Sequence, residues 1–187
     1  MLSAVHALDY DISKALVDYG LAYPWFGYLA FFSAQLLIFV MGAQLAMMWY
    51  QKGSKPSYRH GNRKAVVLAL LGVVFVVALK SVIVLLLYRE RPFVSHPDII
   101  ALPIQVDPGS FPSAHAMVAG VIAASLFFSR MYARAAVASV LALLVGFGRV
   151  AVGVHYTTDV LAGLLFAIII AYFLHHESSS LKHYLPN

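Results

Sequence analysis

Five uninterrupted apolar runs, over residues 25–49, 65–88, 114–129, 134–148 and 159–174, constrain this chain more than any other feature. A helix needs roughly 20 residues to cross about 30 Å of hydrocarbon. The 187 residues therefore hold five such helices with short connections. The sequence predicts an all-α fold: a polytopic membrane helix bundle with five transmembrane spans, in a single domain over residues 1–187. A content of 61% hydrophobic and 11% charged residues agrees, because a soluble domain carries about 25% charge. The third and fourth runs are short, at 16 and 15 residues. Their helices are expected to extend into the flanking loops.

Residues 3–19 read differently. Asp9, Asp11, Lys14 and Asp18 break the apolar stretch that a cleaved signal peptide would need. An amphipathic helix lying at the membrane interface is predicted instead, with Ala4, Leu8, Ala15, Leu16 and Tyr19 on one face. The tail from Glu177 onward, with its run of serines, is expected to be mobile. The absence of cysteine excludes disulfides, thiolate metal ligands and cysteine nucleophiles. The net charge of +5 is carried by loops rather than by one readable face, so the bilayer, not nucleic acid, is the predicted partner.

Lysine and arginine bias sets the orientation. Lys52, Lys55, Arg59, Arg63 and Lys64 follow the first span, Arg130 and Arg134 join the third to the fourth, and Lys182 lies in the tail. These segments are expected to be cytoplasmic, in a bacterial plasma membrane. The opposite face takes Asp9, Asp11, Asp18, Glu90, Asp98, Asp107 and Asp159, with Lys14, Arg89, Arg91 and Arg149 as its basic groups. Two polar islands, Ser110 to His115 and Gly148 to Asp159, fall on that outer face together.

Those islands hold the parts of a phosphoryl-transfer site: a positioned nucleophile, an acid for the leaving oxygen, and fixed positive charge around the phosphate. His155 and Asp159 are four apart, one turn if the fifth helix begins there. A carboxylate on one ring nitrogen would fix the tautomer and leave the other nitrogen free to attack, forming a phosphohistidine. Pro112 suits the start of the third helix. Free backbone donors at that start, the Ser113 hydroxyl, and the Arg91 and Arg149 forks would cradle phosphate oxygens. His115 is placed to protonate the leaving oxygen.

Pro112-Ser113-Ala114-His115 is similar to the Pro-Ser-Gly-His motif of the type 2 phosphatidic acid phosphatase superfamily, with Ala114 where the family has glycine. Gly148-Arg149, His155 and Asp159 resemble its Ser-Arg, five residues, His, three residues, Asp motif, with glycine in place of the leading serine. The likeness runs over residues 80 to 174. It implies His155 as nucleophile, Asp159 as its partner, His115 as acid, and Arg91, Ser113, Ala114 and Arg149 as the phosphate cradle, with no metal and no cofactor. The first motif departs: Val84 stands where the family carries a lysine. Lys80, roughly 6 Å deeper along the helix, and Arg89 remain alternatives for that missing cation.

Arg89-Glu90-Arg91-Pro92-Phe93 followed by Ser110-Phe111-Pro112-Ser113 resembles the subgroup that hydrolyses undecaprenyl diphosphate for cell-wall carrier recycling. The resemblance leaves open a phosphatidate, phosphatidylglycerophosphate or lipid A phosphatase, and, in another class, a non-catalytic lipid-binding or transport protein. No oligomeric state is read from the sequence. His6, His60, His96, His175, His176 and His183 read as surface residues, and Trp25, Trp49 and Tyr50 as interface anchors. Gly42, Gly72, Gly120, Gly146 and Gly163 read as sites of close helix contact.

Overall fold

The computed structural model describes residues 2–51, 56–101 and 109–180. Lys52, Lys55, Asp107, Lys182 and His183 lie outside the described residues. Among the described residues eight helices run in chain order: α1 (Leu2–Ala22), α2 (Pro24–Gln35), α3 (Leu37–Tyr50), α4 (Pro56–Leu86), α5 (Pro92–Ser95), α6 (Ala114–Phe128), α7 (Tyr132–Ala151) and α8 (Thr157–Ser180). The described residues contain no strand.

The breaks have local causes. Tyr23 is extended because Pro24 follows it, and Pro24 opens α2 at the position where a missing N–H costs nothing. The expected single span over 25–49 is a bent pair: α2 and α3 meet at 43° around Leu36. There the Phe39 N–H bonds to the Leu36 carbonyl, a tightened turn of the kind that redirects a helix.

Segments of α4, α7 and α8 are each long and apolar enough to cross a membrane, and the α2–α3 pair makes a fourth candidate. The run over 134–148 extends at both ends, as expected, into the 20 residues of α7. The run over 114–129 does not. α6 stops at 15 residues, bounded by Pro112 and the Ser113 cap at one end and by a left-handed Arg130 (φ 59°) at the other. The Met131 N–H reaches the Leu126 carbonyl and the Arg130 N–H reaches that of Phe127, a Schellman closure. α8 continues to Ser180, so Glu177–Ser180, expected as the start of a mobile tail, are helical, and the rest of that expected tail, residues 181–187, lies outside the described residues.

α6 is the central helix. Ala116, Met117, Ala119, Val121 and Leu126 have no exposed surface, because α4, α7 and α8 enclose them. Small residues permit that approach. A Cβ added at Gly72, Gly120, Gly146 or Gly163 would come within 3.0 Å of a neighbouring element, whereas Gly42 faces open space and makes no such contact. The N-terminal segment is indeed helical. It docks, however, through buried Asp9, Ser13, Val17 and Gly20, while Ala4, Leu8, Ala15 and Tyr19 face outward.

Candidate active site

The connection from α7 to α8 builds the centre of the site. The chain leaves α7 at Ala151 and turns through Gly153, whose φ of +78° favours glycine. His155 follows, 2% exposed, and α8 begins at Thr157. His155 therefore stands just before the helix rather than on it, and Asp159 lies in the first turn. Asp159 reaches back so that Oδ2 accepts the Tyr156 N–H at 2.9 Å, half of a capping box. Ser110 Oγ donates to the same oxygen.

With two donors already on Oδ2, the third approach is looser. His155 Nδ1 lies 3.6 Å from Asp159 Oδ2, beyond hydrogen-bond length. On the other side of the ring, Arg91 Nη1 lies 3.2 Å from His155 Nε2 and donates to the Val154 carbonyl at 2.8 Å. A guanidinium can only donate, so Nε2 carries the lone pair and Nδ1 carries the proton, facing Asp159. The imidazole pKa is lowered from 6.5 to about 4, mainly by burial, with Arg149 and Arg91 acting in the same direction and Asp159 opposing them. At neutral pH the ring is uncharged.

α6 enters from the side. The Ser113 N–H donates to the Asp159 carbonyl at 3.1 Å, and Gly163 of α8 lies against the Ser113 carbonyl, where a Cβ would come to 2.9 Å. Ser113 Oγ is buried and has no hydrogen-bond partner among the described residues. Pro112 precedes that cap instead of forming the first helical residue. Ala114 and His115 follow, both half-buried, and His115 is near enough to interact electrostatically with His155, Arg149 and Arg91. Arg149, in the last turn of α7, is 1% exposed.

The structure thus brings together His155, Asp159, Ser113, Ala114, His115, Arg91 and Arg149 at one end of the bundle. Arg89 also arrives there, but on carboxylates: Nη1 donates to Asp159 Oδ1 at 2.7 Å and Nη2 to Asp9 Oδ2 at 2.9 Å. Its guanidinium lies 3.9 Å over the Tyr156 ring. Lys80 stays within α4, more than a turn before the helix ends. Val84, at the expected lysine position, packs against Gly109, whose added Cβ would come within 2.9 Å of it.

The glycine that replaces the motif serine also has a steric reason. A Cβ at Gly148 would lie 2.6 Å from the Ala34 backbone nitrogen, so α7 sits directly on the α2 backbone there. Four contributors went unassigned in the sequence reading: Asp9, Ser110, Tyr156 and Thr158. Asp9 was detectable only as one member of a small and polar stripe with Ser13, Val17 and Gly20. His175, expected at the surface, is half-buried and links Ser129 Oγ at 3.0 Å to the Ala171 carbonyl at 2.8 Å.

Residues 63–180 match the PAP2 superfamily. The chain belongs to that superfamily. It is 36% identical over 122 residues to undecaprenyl-diphosphatase BcrC of Bacillus subtilis (strain 168), a match covering 65% of this chain and 62% of that protein. It is 27% identical over 167 residues to the bacitracin transport permease protein BcrC of Bacillus licheniformis, covering 89% of this chain and 79% of that one. Among solved structures, the transmembrane PAP2-type phosphatidylglycerolphosphate phosphatase of Bacillus subtilis superposes with a TM-score of 0.65 at 28% identity. That superposition covers 97% of this chain and 90% of the other. With its apolar helices, this makes the chain a multi-pass membrane protein. Among the described residues no group of three or more His, Asp or Glu could hold a metal ion.

Proposed function

We propose that this chain is a lipid phosphatase that hydrolyses undecaprenyl diphosphate to undecaprenyl phosphate and phosphate through a phosphohistidine. The observation that carries this is the uncharged, buried His155, with Nε2 held 3.2 Å from Arg91 and Nδ1 turned to Asp159. In the reaction Nε2 attacks the terminal phosphorus. Arg91 moves its donor from the ring to a phosphate oxygen, and Arg149, Ser113 Oγ and the free N–H groups opening α6 hold the others. The negative charge of the diphosphate favours the imidazolium form of His115, which gives its proton to the departing oxygen. Asp159 stabilises the cationic phosphohistidine. His115, now neutral, takes a proton from water, which attacks phosphorus, releases phosphate and regenerates His155.

The relative named undecaprenyl-diphosphatase supports that substrate. The superposition over nearly the whole chain on a phosphatidylglycerolphosphate phosphatase favours the second reading, a glycerophospholipid phosphatase. In this proposal residues 1–187 form one domain with five spans, counting α2–α3 as one and α6 as a short one, with α1 at the interface. The site faces outward, where a spent carrier appears, and Lys64, Arg130 and Arg134 face the cytoplasm. Protein cations fill the role a metal has elsewhere, so turnover is expected to persist in EDTA.

Phosphate release by purified protein from undecaprenyl diphosphate, phosphatidylglycerophosphate, phosphatidate and lipid A decides the matter. A dominant rate on the diphosphate supports the first reading and a dominant rate on phosphatidylglycerophosphate the second. No release from any lipid, or release that survives His155→Ala, overturns both and favours a lipid-binding or transport protein.

A further inference from the structure

We propose that Asp9, on the N-terminal helix, is a positioning residue that acts through Arg89 to hold Asp159 in register with His155. The inference rests on the reading of His155 as nucleophile. It goes beyond the family motifs, since Asp9 lies far outside residues 63–180.

The geometry is a closed relay. Asp9 is 3% exposed, although it lies on an otherwise largely exposed helix. Its Oδ1 accepts the Thr158 N–H at 3.0 Å, and its Oδ2 accepts both Arg89 Nη2 at 2.9 Å and the Thr158 hydroxyl. The other Arg89 terminal nitrogen donates at 2.7 Å to Asp159 Oδ1 and at 2.7 Å to Thr158 Oγ1. Tyr156 supports the guanidinium from below. A planar fork bridging two carboxylates in this way cannot be replaced by a point charge.

Two consequences follow for the dyad. Arg89 pins Oδ1, so the carboxylate cannot rotate and Oδ2 stays turned to Nδ1. Asp9 also shares the Arg89 charge, so the trio Asp9, Arg89 and Asp159 carries one net negative charge. That negative charge is what steadies the imidazolium as His155 attacks. Without Asp9, the whole Arg89 charge would fall on Asp159 and cancel it. The other charged groups facing His155 are Arg91, Arg149 and His115; Lys14 is turned to Asp18 at 2.6 Å.

The test is steady-state phosphate release by the full-length chain in bilayer nanodiscs, across pH, using whichever lipid diphosphate or phosphomonoester the wild type hydrolyses. Asp9→Asn is expected to lower kcat roughly tenfold to a hundredfold while KM stays within about twofold. The acid limb of kcat/KM should move to lower pH, because the unshared Arg89 charge makes His155 harder to protonate. Arg89→Met should move the same limb to higher pH, and Asp9→Glu should regain most of kcat. If Asp9→Asn does not fold, Arg89→Lys reads the relay, since it keeps the charge but loses the fork: a drop in kcat supports the relay, and wild-type kcat overturns it.

Asp9→Asn with wild-type kcat and an unmoved limb would overturn the proposal. So would a kcat loss that follows a fall in Tm, leaves the limb in place and is not regained by Asp9→Glu. His155→Ala keeps the two failures apart. Retained turnover in that variant refutes the nucleophile itself, whereas an inactive His155→Ala beside an unaffected Asp9→Asn refutes only the relay.

Discussion

The two ends of the helical bundle handle charge in opposite ways. At the end where α6 and α8 begin, Asp9, Arg91, Arg149, His155 and Asp159 are all at most 3% exposed, and Arg89 threads between the carboxylates. At the other end Lys64 and Arg130 are exposed. Arg134 there is held by a neutral amide, donating to Asn62 Oδ1 at 3.2 Å, and Arg63 lies 5.1 Å over the Trp49 ring. Buried charges are costly unless they are paired or hydrogen-bonded. A bundle that concentrates them at one end and solvates them at the other has a reason to do so, and the proposed phosphate site would supply one.

The comparison is broken most directly at His155. His155→Ala is expected to reduce phosphate release by about 10⁴-fold or more, measured as turnover of purified protein. Arg91→Lys and Arg149→Lys should each cost roughly 10²- to 10³-fold in kcat, because a lysine lacks the planar fork. By contrast Arg134→Ala, a cation at the other end, should leave kcat within about twofold. Equal losses at the two ends would abolish the distinction.

A pH titration sharpens it. The folded His155 pKa of about 4 lies below the ordinary 6.5. Between those values the unfolded chain binds a proton that the folded chain refuses, so stability rises with pH across that window and is flat above it. The shift corresponds to about 3 kcal/mol at most. Melting temperatures between pH 4 and 7 should show the slope in the wild type and a shallower one in His155→Asn. On the acid side the sign for activity is the same: kcat/KM should fall as pH drops through about 4, where His155 takes up a proton.

Packing gives the smaller effects. Restoring the family serine with Gly148→Ser forces a side chain against the Ala34 backbone and should lower stability by about 1–3 kcal/mol. Gly42→Ala, into open space on α3, should be neutral or stabilising by up to about 1 kcal/mol. Thermal unfolding in detergent compares the pair. A milder effect at Gly148 than at Gly42 would contradict the close approach of α2 and α7.

Much of this was legible in the linear chain, for a definite reason. Hydrophobic runs must become helices where water is absent, so the sequence located α4, α7, α8 and the combined α2–α3 segment. The spacing of Pro112 to His115 and of Arg149 to Asp159 marked both islands, because each motif is local. Arg89 was visible too, but as a phosphate ligand rather than the bridge it is. Its partner Asp9 lies 80 residues away on a helix whose pattern pointed to a different face. The bend at Leu36 and the early end of α6 were hidden for a similar reason: apolar composition continues through both, and only backbone hydrogen bonding records the change.

Hydropathy and motif spacing by themselves determined that the chain is a helical membrane bundle and which residues are the candidates for a phosphate site, since both follow from composition along a few turns of helix. Only the tertiary structure decided that His155 stands before its helix, that Nε2 faces Arg91, and that a carboxylate from the N-terminal helix closes the site. Those relations depend on contacts between segments far apart in the chain, and side-chain periodicity carries no information about which distant segment will be the neighbour.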